Sequence, residues 1–391
     1  MILNVFYGIR KCGILSSTEN RGIVFKYDDE YLSDASAKPV SLSLPLKSEE
    51  YNQKECLPFF SGLIPEEYTR KRVADYLHVS ELSIMKLLEA IGQECAGYIT
   101  IAGEDFDSSV LKQEYKVTSS DYEKISQSDL ENFVANIQQR PFIKADDKLR
   151  LSLAGAQEKL SLAFFDGEWY LPLNGAPSTH ILKPTREGSL ASLARNEYEC
   201  MMLAKKCGLN VPDVQLINIS GKDVLIVERY DRIIKRNAIS RLHQEDMCQA
   251  AGIMTDKKYQ ADGGPGIVEI YQMIKKNSVL PVIDLQAFLK NVLFNYLVGN
   301  CDAHSKNYSF IYDTNGKARL SPLYDVVSTI AYPGLTRKLS MKIGSHYEIE
   351  KISQDDFSIL AETVGVNIKV INSILEELRT TINETSLRNQ R

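Results

Sequence analysis

The sequence predicts an α+β protein that consists of a small N-terminal α/β subdomain and a larger, two-lobed body. Three observations support this prediction. The chain of 391 residues is long enough for two or three domains. A polar stretch at 104–149 separates the first hundred residues from the rest. After it, strand patterns dominate to about residue 236 and helix patterns follow, which indicates two lobes with a cleft between them.

The first 103 residues combine strand and helix patterns. Short apolar or alternating runs predict strands at Ile2–Tyr7, Gly22–Tyr27, Pro39–Leu46 and Ala96–Ala102. Apolar residues three and four positions apart predict helices at Tyr68–Leu77 and Leu82–Ile91, the second of which stops at Gly92. The connecting region 104–149 contains one amphipathic helical pattern, at Ser120–Gln138.

The body from residue 150 onward begins with strands. The predicted strands are Leu151–Phe165 (two strands around a turn), His180–Lys183, Val214–Ile219 and Val224–Tyr230. A helix at Leu190–Cys207, ended by Gly208, lies between them. We therefore assign a β-rich lobe to 150–236 and a helical lobe to 237–391.

Composition narrows the class of protein. The net charge is −5, and 44% of the residues are apolar and 25% charged, which excludes a disordered chain, a collagen-like chain and a strongly basic nucleic-acid coat. The seven cysteines form no CxxC pair, so neither a disulfide framework nor a structural zinc site is expected. Without a signal-peptide pattern or a long apolar run, we expect a cytoplasmic protein that does not enter the membrane.

The strongest local signal is the polar run at 300–309, NCDAHSKNYS. It follows a helical pattern that extends from Leu285 to Leu297 and is closed by Gly299, so a rigid element holds the polar loop. Asp302 and Asn307 are five positions apart in it. Protein kinases use this spacing in their catalytic loop, where the Asp orients the attacking hydroxyl and the Asn holds magnesium.

Other residues extend this signal. Asp325 follows a short strand pattern and offers a second hard oxygen ligand for magnesium. Lys183 lies in an apolar strand, where its charge needs an anion such as a nucleotide phosphate, and Glu197 of the next helix is its candidate ion-pair partner. The small residues within Ser152–Lys159 would let backbone amides approach a phosphate.

Each signal alone also has a plain structural interpretation. Asp302, Asn307 and Asp325 could be turn or capping residues, and His304 a structural histidine. Lys183 could be a lysine that extends its ammonium to solvent, and Ser152 a strand hydroxyl. The joint order along the chain (small-residue turn, strand lysine, helix glutamate, two strands, helix, Asp-x4-Asn, strand, Asp) favours a kinase site.

The sequence resembles the HipA family, bacterial serine/threonine kinases that act as toxins of toxin–antitoxin pairs. The matching segments are SLAGAQEK at 152–159, THILK at 179–183, NEY at 196–198, GLNVPD at 208–213, VERYD at 227–231, QEDMCQ at 244–249, DGGPG at 262–266, 302–309 and 324–327. The N-terminal segments 39–46 and 59–66 also resemble the first domain of that family. The resemblance implies a two-lobed protein-kinase-like fold, similar to that of PI3/4-kinases, behind an N-terminal HipA-type subdomain.

The resemblance also implies roles for individual residues. Asp302 would be the catalytic base, and Asn307 and Asp325 would hold Mg²⁺. ATP would contact Lys183, the loop residues Ala154, Gly155, Ala156, Gln157, Glu158 and Lys159, the hinge residues Glu228, Arg229 and Tyr230, and His304, Lys306 and Tyr324. Autophosphorylation of Ser152 would inactivate the kinase, because a phosphate in that loop repels the phosphates of ATP.

The family's substrates and partners are implied in the same way. Its toxins phosphorylate an aminoacyl-tRNA synthetase, typically the glutamyl enzyme, which causes growth arrest and persistence. A dimeric helix-turn-helix antitoxin (HipB-like) binds the kinase, and DNA is reached mainly through that antitoxin. The sequence departs from the family at Cys301 and Ala303, beside the proposed base, and in the short stretch Pro184–Leu190, which bears on substrate choice.

Two alternatives remain at this point. Kinases of small molecules or lipids share the Asp-x4-Asn arrangement, so the spacing alone does not identify a protein substrate. A catalytically idle corepressor that acts through a DNA-binding partner would have the same fold, although every proposed catalytic position here carries the required residue type.

Overall fold

The computed structural model describes residues 1–18, 22–117, 120–137, 142–145, 148–151, 159–185, 188–236 and 238–389. These residues form three bodies, each with its own apolar core. None of the helices they contain is long and apolar enough to cross a membrane. The predicted Ser152 and loop residues 154–158 lie outside the described residues.

The N-terminal body is an antiparallel sheet of four strands, in the order β3-β2-β1-β4, with helices packed against one face. Its elements are β1 (Ile2–Tyr7), β2 (Arg10–Thr18), β3 (Gly22–Tyr27), α1 (Asp29–Ser33), α2 (Gln53–Ser61), α3 (Glu67–Tyr76), α4 (Ile84–Ile91) and β4 (Ile99–Gly103). Leu3 and Val5 of β1 point into the core, as the strand alternation requires. Helix α4 packs on the neighbouring strand β4 and contributes Leu87 and Leu88 to the same core.

The strand predicted at Pro39–Leu46 is wrong. The segment forms a turn that is closed by an isolated bridge between Ser41 and Leu44. Prolines at both ends lack the amide hydrogen that a strand ladder uses. The hydroxyls of Ser41 and Ser43 are instead bound to the helical lobe, where Ser43 Oγ donates to the Gln249 carbonyl at 2.7 Å.

The region predicted as a connector contributes to the second body. It contains β5 (Tyr115–Lys116), β6 (Tyr122–Lys124), α5 (Gln127–Asn136), β7 (Phe142–Ala145) and β8 (Lys148–Leu151). The helix predicted at Ser120–Gln138 begins only at Gln127, because Ser126 and Asp129 form a capping box there. The residues before it pair with a strand of the β-rich lobe.

The β-rich lobe is an antiparallel sheet of six strands, in the order β12-β13-β11-β9-β10-β6. Its elements are β9 (Leu160–Phe165), β10 (Glu168–Pro172), β11 (His180–Pro184), α6 (Leu193–Lys206), β12 (Val214–Ile219) and β13 (Lys222–Glu228), followed by the hairpin strands β14 (Arg232–Lys235) and β15 (Ala238–Arg241). Helix α6 packs on β12 and β13 and ends before Gly208, as predicted.

The third body is mainly helical. Its elements are β16 (Gln244–Asp246), α7 (Met247–Ala251), α8 (Ile267–Asn277), α9 (Pro281–Val298), β17 (Ser309–Tyr312), β18 (Ala318–Leu320), β19 (Lys338–Ile343), β20 (His346–Glu348), α10 (Gln354–Val364) and α11 (Ile368–Asn389). Helix α9 buries Phe288, Leu289 and Leu293 at its centre, each worth about 1.5–3 kcal/mol of transfer free energy. It ends at Gly299, whose φ of 71° is left-handed, as the sequence predicted.

Candidate active site

A cavity of about 370 Å³ lies where the three bodies meet, and we call it the central cavity. The N-terminal body contributes Gly62, Glu66 and Ala96 to its wall. Every predicted site residue that the structure describes also lines it: Lys159, Lys183, Glu197, Glu228, Arg229, Tyr230, Asp302, His304, Lys306, Asn307, Tyr324 and Asp325. Residues that are far apart in sequence are thus brought to one place.

Lys183 is held between two carboxylates. Strand β11 lies between β13 and β9, so its lysine is almost fully buried. The Lys183 ammonium donates to Glu197 Oε1 of α6 at 2.6 Å and to Asp325 Oδ1 at 2.7 Å. Burial alone would lower the pKa of Lys183, but the charges of Asp325 and Glu197 raise it above its ordinary value. The lysine therefore stays charged and links the two lobes.

Asp325 adopts an unusual backbone conformation, with a φ of 60°. Such a residue costs about 1–3 kcal/mol and persists only where its surroundings hold it. The preceding Tyr324 does so: its hydroxyl donates to the Lys306 carbonyl at 2.7 Å, and its ring stacks on Tyr230 at 5.6 Å. Burial opposes ionisation of Asp325, but Lys183 and Lys159 hold the pKa of its carboxyl well below the usual range.

Asp302 lies in the loop that follows α9. Its backbone amide donates to Asn300 Oδ1 at 3.1 Å, and Asn307 Nδ2 donates to the Asp302 carbonyl at 3.3 Å. The Tyr259 hydroxyl donates to Asp302 Oδ1 at 2.9 Å. The Asp302 side chain is exposed to the cavity, but desolvation by the surrounding protein disfavours its charged form and raises the pKa of Asp302 to about 6.

His304 and Lys306 are buried beside this loop. The His304 ring meets Tyr259 edge-on at 5.4 Å, and its Nδ1 has no hydrogen-bond partner among the described residues. Burial lowers the pKa of His304 to about 3, so the ring is neutral at pH 7. Lys306 is paired with Asp246 at 2.6 Å and lies 3.5 Å from Glu66.

The hinge residues between the lobes have divided roles. The backbone amides of Glu228 and Arg229 already donate to the carbonyls of Asp213 and Thr179, both at 2.9 Å. The Arg229 guanidinium is directed to Asp231 and to Glu94 of the N-terminal body. These two amides are therefore already paired, and the Arg229 side chain joins the β-rich lobe to the N-terminal body.

Lys159 is the one residue of the predicted phosphate loop that the structure describes. Burial, with the nearby charge of Lys183, lowers the pKa of Lys159 to about 8. Both lysines line the cavity, where Lys183 is paired with Glu197 and Asp325.

The donor set suits magnesium. Asn307 and Asp325 supply an amide oxygen and a carboxylate, and both residues line the cavity. In the described part of the chain, no three His, Cys, Asp or Glu side chains are grouped to hold a metal by themselves. Magnesium is typically bound through one or two such oxygens together with substrate phosphates, so these two residues fit it.

Sequence reasoning did not single out Glu66, Asp246 and Lys258, which line the cavity, or Tyr259, which contacts Asp302. Asp246 lies in the matched segment QEDMCQ, but only the fold reveals that it pairs with Lys306. Glu66 is 240 positions from that lysine, and no local pattern indicates a contact over such a separation.

Comparisons with known proteins agree with this architecture. The family model of the HipA N-terminal domain matches residues 3–102, and that of the HipA-like C-terminal domain matches 151–386. The chain is 35% identical over 381 residues to protein Y4mE of Sinorhizobium fredii, covering 96% of this chain and 89% of that protein. It is 30% identical over 353 residues to the serine/threonine-protein kinase toxin HipA of Shewanella oneidensis, covering 87% and 78% respectively.

A solved structure extends the comparison to three dimensions. It is the complex of HipA, HipB and operator DNA of the toxin–antitoxin system from Shewanella oneidensis MR-1. Its matching chain has a TM-score of 0.81 and 26% sequence identity, and the match covers 98% of this chain and 91% of that one. The α+β, two-lobed kinase-like fold expected from the sequence is confirmed.

Proposed function

The chain belongs to the HipA family, and from this premise we propose that it is a serine/threonine-protein kinase that uses ATP and Mg²⁺. The observation that carries the proposal is the convergence in one cavity of Lys183, Asp302, Asn307 and Asp325. A kinase needs these four functions together: a cation for the phosphates, a base for the acceptor hydroxyl, and two oxygen ligands for a metal.

In the proposed reaction, Asp302 accepts a hydrogen bond from the substrate hydroxyl. That oxygen forms a bond to the γ-phosphorus of ATP, the bond from this phosphorus to the β–γ bridging oxygen breaks, and ADP leaves. The hydroxyl proton passes to Asp302, whose raised pKa suits a base near neutral pH. Lys183 balances charge on the phosphates, and Lys306 also lines the cavity.

Asn307 and Asp325 offer the oxygen ligands for Mg²⁺, which when bound neutralises charge on the phosphates. Tyr230 and Tyr324 form a stacked pair near the hinge and keep the residue before Asp325 in place. Because the groups are positioned before any substrate arrives, most of the rate acceleration comes from orientation and electrostatics.

We further propose that the kinase is the toxin of a toxin–antitoxin pair. Its partner is a dimeric helix-turn-helix antitoxin that resembles HipB, and the kinase reaches DNA through this partner. Its substrate is an aminoacyl-tRNA synthetase, and the glutamyl enzyme is the first candidate to test. The similar Shewanella oneidensis chain, in a complex with HipB and operator DNA, supports the partner. Phosphorylation of the chain's own Ser152 would switch the kinase off.

Labelling of a bacterial lysate with γ-labelled ATP tests the activity. We expect the wild-type chain to label protein, and Asp302→Ala to lower the rate by roughly 10²–10⁴-fold, as for loss of a general base. Label only in small metabolites would identify a small-molecule kinase instead. Nucleotide binding without any transfer would identify an idle corepressor. Intact-mass analysis of the chain after incubation with Mg-ATP checks for a single phosphate at Ser152.

A further inference from the structure

The N-terminal body places one carboxylate in the central cavity. Glu66 stands at the N-cap of α3, where an acidic side chain usually accepts hydrogen bonds from the first amides of the helix. In the described part of the chain its side chain makes no such capping bond. The carboxylate leaves the helix instead and is only 4% exposed at the cavity wall.

Glu66 bridges two lysines of the helical lobe. Its Oε2 accepts from the Lys258 ammonium at 2.9 Å, and its Oε1 lies 3.5 Å from the Lys306 ammonium. Both lysines are buried, at 6% and 9% exposure. Burial opposes ionisation of Glu66, but Lys306 and Lys258 hold the pKa of its carboxyl below the ordinary value. The carboxylate thus separates two ammonium groups that would otherwise repel each other.

Both lysines are connected to the residues proposed for phosphoryl transfer. Lys306 lies in the loop between Asp302 and Asn307, and Lys258 precedes Tyr259, whose hydroxyl contacts Asp302. The Lys258 carbonyl also accepts from Ser305 Oγ of that loop at 2.8 Å. A shift of Lys258 or Lys306 would therefore move the loop that carries the base.

The segment that carries Glu66 is held rigidly on the helical lobe. Gln249 Nε2 donates to the Phe59 carbonyl of α2 at 3.0 Å. At Gly62, a Cβ would come within 2.8 Å of the Gln249 side chain, so a larger residue would displace that side chain. The N-terminal body consequently cannot move away from the lobe without withdrawing Glu66.

We propose that Glu66 is a positioning residue of the kinase, which holds Lys258 and Lys306 in place beside Asp302. This inference rests on the proposed kinase function. It means that the N-terminal body completes the active site by supplying Glu66. Neither lobe alone contains the carboxylate that separates the two lysines.

The test compares Glu66→Gln with Glu67→Gln in the full chain. Glu67 is a matched control, because its carboxylate also pairs with Lys258, at 3.1 Å, but its side chain is 63% exposed. The measurements are kcat and KM for ATP in the transfer of label to protein. The number of nucleotide-binding sites per chain, from titration with a non-hydrolysable ATP analogue, corrects kcat for any unfolded fraction.

We expect Glu66→Gln to lower kcat per binding site by about 10–100-fold, the effect of an active-site group displaced by roughly 1 Å. KM for ATP should not rise, because the substitution removes a negative charge near the phosphates. Glu67→Gln should stay within about twofold of the wild type, as expected for an exposed pair. Glu66→Asp, which keeps the charge, should recover part of the loss.

An unchanged kcat per site in Glu66→Gln, with an active wild type, would overturn the inference and leave the proposed function standing. A loss that Glu66→Asp does not relieve at all would assign Glu66 a purely structural role and overturn it as well. An inactive wild-type chain would contradict the proposed function itself, and the inference with it.

Discussion

Replacing Arg229 by Met tests how the N-terminal body and the hinge are joined. The guanidinium is 2% exposed and donates to both oxygens of Asp231, at 2.9 and 2.8 Å. It also donates to Ser178 Oγ at 2.9 Å and to Glu94 at 3.2 Å. The substitution keeps the apolar stem but leaves the buried Asp231 and the partly buried Glu94 with one cation fewer.

The expected cost follows from these contacts. Removing one partner of a buried ion pair costs about 3–5 kcal/mol of unfolding free energy. Asp231 keeps two other donors, Arg232 Nη1 at 2.8 Å and the Gly97 amide at 2.9 Å. We therefore expect a loss of about 3 kcal/mol, at the lower end of that range.

Urea unfolding followed by tryptophan fluorescence measures this loss. The chain has one tryptophan, Trp169 of β10, which lies in the same sheet as the strand before Arg229. The matched control is Arg195→Met, whose partner Asp223 lies at 2.8 Å but whose side chain is 54% exposed. The control should lose less than about 1 kcal/mol. Equal losses in the two variants would refute the reasoning that burial makes the Arg229 cluster important.

Two further predictions concern buried groups outside the proposed chemistry. Glu245 is fully buried against Tyr312, and burial raises its pKa from 4.5 to about 7. The folded state then holds a proton that the unfolded state has lost, so wild-type stability falls as pH rises from 4.5 to 7. The difference in unfolding free energy, Glu245→Gln minus wild type, should therefore rise by at most about 3 kcal/mol over that range. Urea unfolding at several pH values measures this difference, and a difference that does not change with pH would refute the prediction. Gly299→Ala would place a Cβ 2.2 Å from Ile330 Cδ1, whereas the equally left-handed Gly365 has open space. Gly299→Ala should therefore be less stable than Gly365→Ala by about 1–3 kcal/mol, as measured by thermal unfolding. Equal melting temperatures in the two variants would contradict a clash with Ile330.

Local patterns were sufficient for the elements that carry the site. The apolar spacing before residue 299 predicted α9 and its end, because a glycine at a left-handed position stops a helix. The apolar run at His180–Lys183 predicted β11, which is confirmed over His180–Pro184. These elements depend on residues close in sequence, and the structure brings the polar residues that follow them into one cavity.

Other features could not be predicted, because they depend on partners far away in the chain. The segment Pro39–Leu46 has an alternating pattern, but the hydroxyls of Ser41 and Ser43 donate to Glu245 and to the Gln249 carbonyl, some 200 positions later. Glu66 ends the matched segment 59–66, but its contacts with Lys258 and Lys306 arise from the docking of α2 on α7. The chemical roles of Lys183, Asp302 and Asp325 stay predictions until they are measured.

We propose that the three bodies enclose one ATP site that depends on Mg²⁺. Calorimetric titration with a non-hydrolysable ATP analogue tests this site, with wild type and Asp325→Asn measured in Mg²⁺ and in EDTA. Asparagine tolerates the left-handed backbone of position 325, so the variant should fold. We predict that the wild type binds one analogue per chain, with higher affinity in Mg²⁺ than in EDTA. In Mg²⁺ the variant should bind at least ~10-fold more weakly, which corresponds to about 1.4 kcal/mol of binding free energy. Equal affinities in the two proteins, unchanged between Mg²⁺ and EDTA, would contradict a Mg²⁺-dependent ATP site at Asp325.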